Sequence, residues 1–99
     1  MDSSALSPGT KTRLVRLFAP SDQAQAEVLL LERCGRNLPG TRGWPEWGIE
    51  RIQFAALKVS GGTMSALTEA VQLANIDWRD LLVAAGFAND PEAHKSWFP

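Results

Sequence analysis

The chain is poor in the residues on which most small-domain chemistry depends: it has a single cysteine, Cys34, and a single histidine, His94. One cysteine excludes an intrachain disulfide and makes a cysteine-based metal centre untenable. One histidine would force any metal site to draw on carboxylates, and no Glu/His pair at helical ligand spacing accompanies it. General acid–base work needs a second positioned group, and no Ser/His/Asp arrangement stands out from chance. No catalytic residue, metal or cofactor is therefore expected, and a non-enzymatic protein is.

Long apolar runs are missing as well. The longest aliphatic stretch covers residues 28–31, far short of the ~20 residues that a membrane helix requires. The start of the sequence shows no basic segment followed by an apolar one. These absences predict a cytoplasmic chain with no membrane partner, and a lone thiol fits a reducing compartment. Charge of one sign is lacking too: the formal net charge is −1. Six basic residues meet five acidic ones through Gly48, and four meet six after it. Such a balance supplies no net attraction to nucleic-acid phosphates.

What remains is ordinary globular material. Ninety-nine residues with 44% hydrophobic and 21% charged content suit one modest core. Residues 1–9, rich in Ser with Pro8 and Gly9, read as a mobile tail, and residues 10–99 as a single helical domain. Residues 11–18 fit a strand or a short helix, with helix preferred. After Pro20, Ser21 or Asp22 is placed to cap a helix running to Cys34, with Ala26, Leu29, Leu30 and Cys34 on its apolar face and Val28 and Leu31 widening it; Gly35 is the expected stop. Pro39-Gly40, Gly43 and Pro45 make residues 36–48 a loop. From 49 to 60, Ile49, Ile52, Ala56 and Val59 form one face and Phe54 and Leu57 another, which predicts a central helix buried on more than one side.

Gly61-Gly62 ends that helix, and Thr63 caps the next, whose face is Leu67, Ala70, Val71 and Ala74 before a break at Asn75. The segment 76–87 carries the fullest set of local signals. Asp77 caps, Asp80 adds a carboxylate to the positive first turn, and Ile76 is placed to staple onto Leu81. Gly86 supplies a left-handed stop with Phe87 folding back towards Leu82. Asp90-Pro91-Glu92 then reads as a last helix start leading through His94 to Trp97. The sum is an all-α bundle of four or five short helices, with a helix-turn-helix-like corner at residues 67–85.

The stretch from Arg51 to Lys58, then Asp77-Trp78-Arg79-Asp80-Leu81-Leu82, Ala84-Ala85-Gly86-Phe87, Asp90, His94 and Trp97, resembles a set of small bacterial proteins of unknown function. That resemblance implies a bacterial cytosolic origin and an all-helical fold. It brings no site residue with it.

Two features rise above this background. Leu67 to Ala85 matches a helix-turn-helix, but the helix that would enter DNA starts with Asp77 and Asp80, opposed only by Arg79, which is unfavourable beside phosphates. Lys11, Arg13 and Arg16 read as solvated surface. The other feature is Trp44-Pro45-Glu46-Trp47, where two tryptophans bracketing a proline either cover the core or offer an aromatic surface to a partner. One structural and one exposed tryptophan are expected, with Trp44 the exposed one, while Trp78 and Trp97 are assigned to the core or to helix seams. Cys34, in an apolar stripe, should be buried and inert. The reading is a protein-interaction module with Trp44, Pro45 and Trp47 as its contact residues, binding a protein partner or a second copy of itself; a helix-turn-helix nucleic-acid-associated protein is the alternative.

Overall fold

The computed structural model describes residues 6–99, and among these every regular element is helical: α1 Pro8–Leu17, α2 Pro20–Arg33, α3 Glu46–Ser60, α4 Met64–Ala85 and α5 Ala93–Ser96. Helix, the preferred reading of residues 11–18, is what forms. Of the stretch expected to be a tail, Pro8 and Gly9 are instead the first turn of α1, while residues 1–5 lie outside the described residues. The reason is local. Ser7 accepts from the Thr10 backbone N–H at 3.2 Å, and Pro8 sits at the first helical position, where its missing N–H costs nothing. The Ser7 hydroxyl also bonds the Glu50 carboxylate, and Thr10 Oγ1 donates to Gln53 Oε1 at 3.2 Å, so a polar ladder ties α1 to α3.

Pro20 opens α2 in the same way, so Ser21 and Asp22 lie inside the first turn and do not cap it. Nor does Gly35 turn left-handed; the helix is left at Cys34, with φ −136°. Leu30 and Cys34 are fully buried, whereas Val28 is half exposed.

Helix α3 is central: it lies along α4 and is also met by α1 and α5. It buries Ile49, Ile52, Phe54, Ala55, Ala56 and Leu57, which on one helix requires neighbours on several sides. Val59 is the exception on the expected face and is exposed. Two left-handed glycines, Gly61 and Gly62, then turn the chain into the Thr63 cap, which accepts from Ala66 N at 3.3 Å.

Helix α4 continues through Asn75 and breaks one residue beyond Ile76, at Asp77, whose φ of −158° and ψ of 104° are extended. The corner expected over 67–85 is therefore a one-residue break. Asn75 is not left-handed; its side-chain amide donates to Val71 O at 2.8 Å and to Arg33 O at 2.7 Å, tying α4 to the end of α2. Asp77 Oδ1 accepts from the Arg79 backbone N–H at 3.0 Å and caps the second half. That half ends at Gly86, φ 80°, with Gly86 N donating to Val83 O at 3.1 Å and Phe87 N to Leu82 O at 2.9 Å, the paired bonds of a Schellman stop. Pro91 is not helical; Asp90 Oδ1 accepts from Glu92 N at 2.9 Å in a turn that precedes the four-residue α5.

Candidate interaction surface

The connection between α2 and α3 is a chain of turns. Leu38 N donates to Gly35 O at 3.1 Å, Thr41 Oγ1 to Leu38 O at 2.9 Å, and Trp44 N to Thr41 O at 3.0 Å. Leu38 and Thr41 point inward and are buried, which fixes the loop to the core. Helix α3 starts at Glu46, earlier than residue 49, so Trp47 and Gly48 belong to its first turn and Trp44 lies just ahead of it. A Cβ placed on Gly48 would stand 2.9 Å from the Trp44 ring. Glycine there leaves room for the ring against the helix.

Trp44 is thus the structural tryptophan, the reverse of the expectation. It is partly buried, packs against the core and meets Trp78 edge-on, with ring centroids 4.6 Å apart and planes at 81°. Trp47 is the exposed one, at 50% of its surface. The physical reason is helical phase: once the helix begins at Glu46, residue 47 faces away from the side that carries Gly48, Ile49 and Ile52 inward. Pro45 is exposed at the helix start.

Trp78 is the pivot that the sequence reading left in a seam. Besides Trp44 it touches the loop at Gly40, where a Cβ would lie 3.3 Å from the indole Nε1. Between the loop and the break in α4 opens a cleft of about 370 Å³, lined by Pro39 and Gly40 on one side and by Ala74 to Arg79 on the other. Ile76 lines it and is 82% exposed, so the proposed staple onto buried Leu81 does not form. The break at Asp77 is the cause, because it turns Ile76 away from the second half of the helix. A sequence signal existed: Ile76 falls outside the apolar stripe of either half.

The rim of the cleft is nearly neutral. Arg79 makes a two-pronged pair with Asp77, Nε to Oδ1 at 3.0 Å and Nη2 to Oδ2 at 3.1 Å. The Arg79 side chain holds the Asp77 carboxyl below its ordinary range, with the Arg79 backbone N–H adding to the effect. The Asp77 carboxylate offsets the positive charge that this guanidinium would bring to a phosphate.

A second constellation surrounds His94, which is fully buried. Its ring meets Phe54 edge-on at 5.2 Å and Phe87 at 6.3 Å, and Trp97 stands beside both phenylalanines. Neither ring nitrogen has a hydrogen-bond partner among the described residues. Burial pushes its pKa below the ordinary value; Glu50 opposes, Arg51 and Lys95 reinforce, and Glu92 opposes. No titratable side chain among the described residues is hydrogen-bonded to the ring. Cys34 is buried too, and burial pushes its thiol up to about 12, away from the thiolate form that acts as a nucleophile. Among the described residues no group of three or more His, Cys, Asp or Glu could hold a metal ion, and no helix is long and apolar enough to cross a membrane.

No protein-family model, curated protein or solved structure matches the chain.

Proposed function

We propose that the chain is a non-enzymatic protein-interaction module whose contact face runs from exposed Trp47, past Pro45 and the Trp44–Trp78 pair, into the cleft beside Ile76. The observation that carries this reading is Ile76, a large aliphatic side chain 82% exposed on the wall of an open cleft. Exposed apolar surface beside rigid aromatic rings is the composition from which protein interfaces draw most of their binding energy. The occupant is an apolar side chain presented by a partner protein or by a second copy of the chain. The competing nucleic-acid reading is weakened by the Asp77–Arg79 pair, which engages the one basic side chain at the start of that helical half. We extend the proposal to a bacterial cytoplasmic setting, which the resemblance of residues 51–97 and the single thiol of Cys34 favour.

The test compares the native chain with Ile76→Asp and Trp47→Ala in sedimentation and in capture from a cell extract, followed by reconstitution with the purified partner. Loss of association in both variants, with melting unchanged, supports the module. Binding of duplex DNA at moderate ionic strength that falls steeply with added salt, with no protein association, overturns it.

A further inference from the structure

The last seven residues are fastened to α1 by arginines that grip backbone. Arg13 Nε donates to Trp97 O at 2.9 Å and Nη2 to Lys95 O at 3.5 Å, and its guanidinium lies 4.0 Å over the Phe54 ring and 4.8 Å from that of Phe98. Arg16 Nε donates to Pro99 O at 2.9 Å and lies 4.9 Å from the Phe98 ring. The only buried side chain of α5 itself is His94. An ionisable ring is therefore the plug that seats the segment on Phe54 and Phe87.

We propose that α5 and residues 97–99 form a pH-sensitive latch, docked while His94 is neutral and released when His94 takes up a proton in mildly acidic solution. The geometry supplies the reason. A protonated imidazole carries two N–H donors and a full charge, and the docked ring has no acceptor for either among the described residues. The faces of Phe54 and Phe87 attract a cation, but they do not replace the hydration that burial removes. The surrounding charges do not compensate: Glu50 and Arg51 act on the ring from α3, and Glu92 and Lys95 from its own segment. Arg13 from α1 covers Phe54, and Lys58 lies 4.9 Å from the Phe87 ring. Two cations and two carboxylates thus act on the ring itself, and burial remains the largest influence on it.

Release is local because the segment is short and weakly capped. Helix α5 has four residues and no side-chain cap bond, and its loss leaves the packing of α3 on α4 in place. An undocked histidine titrates near its ordinary value of about 6.5, and burial lowers that of the docked ring. Docking is therefore fully favoured above about 6.5 and weakens as pH falls through the interval between the two values, by about tenfold per pH unit.

Amide hydrogen exchange read by NMR from pH 8 to pH 5, expressed as protection factors, tests this. The amides of Lys95 and Trp97, which donate to Glu92 O and His94 O, should lose protection about tenfold per pH unit below about 6.5, while α3 and α4 amides hold theirs. His94→Leu should abolish that dependence and leave the segment docked throughout. Arg16→Ala, which loosens the far end without touching the ring, should move the His94 titration midpoint towards its ordinary value. Constant protection of Lys95 and Trp97 across the range, loss of protection in every helix together, or a persistent pH dependence in His94→Leu would each overturn the latch.

Discussion

Glycine at position 62 illustrates how one missing carbon sets the distance between two helices. Its φ of +92° is left-handed, and a Cβ there would sit 2.5 Å from the backbone oxygen of Leu17, too close for any rotamer change to relieve. The end of α1 and the turn between α3 and α4 touch backbone to backbone at that point. Gly61 beside it also has positive φ, 58°, yet nothing lies within 4 Å of its virtual Cβ. Gly61→Ala should therefore cost about 1–2 kcal/mol, the strain of a left-handed L-residue alone. Gly62→Ala should cost more, about 3 kcal/mol or above, because the contact adds to that strain. Denaturant unfolding of the two variants reads the difference, and equal losses would mean that the backbone contact is not tight. His94 carries the opposite lesson, since its burial is invisible to periodicity: a four-residue helix has too few turns for an apolar face to repeat.

At the scale of elements, the sequence was most legible where a side chain or a glycine acts on its own neighbours. The Asp77 cap, the Thr63 cap and the Gly61-Gly62 stop all form, as does the Gly86 stop, because each is a short-range arrangement that the backbone closes by itself. Boundaries set by competition were less legible. Pro20 takes the start of α2 from Ser21 and Asp22, Glu46 starts α3 ahead of Ile49, and Asn75 spends its amide on Arg33 O and so does not turn the chain. The shifted start of α3 also reversed the roles of Trp44 and Trp47, since three residues of helix rotate a side chain through most of a turn. The Schellman stop offers a measurable check. Replacing Gly86 by asparagine should cost about 1 kcal/mol and by valine about 2 kcal/mol or more, because a β-branched residue resists the left-handed region more strongly. The space beside Gly86 is open apart from Lys58 Nζ at 3.7 Å, so thermal melting of the pair reports backbone strain and not crowding.

For the molecule as a whole, the candidate face depends on how the α2–α3 loop is held against α4, and only long-range contact could reveal that. Trp44 and Trp78 are 34 positions apart in the chain and meet at 4.6 Å; the cleft exists because this pair, with Gly40 on the indole edge, pins the loop beside the break at Asp77. Trp44 and Trp47 should therefore separate by experiment. Trp44→Ala removes a partly buried ring from the core and from Trp78, and should lower stability by about 2–3 kcal/mol, less than the ~3–5 of a fully buried aromatic residue. It should also disturb the cleft, so that loss of partner binding in this variant accompanies loss of stability. Trp47→Ala removes a half-exposed ring from the first turn of α3 and should change stability by no more than about 0.5 kcal/mol, while binding suffers if the face is used. Thermal unfolding of both variants decides it. A large loss for Trp47→Ala would place that ring in the fold and take it out of the interface, leaving Ile76 and the cleft as the only side of the contact face free of a structural role.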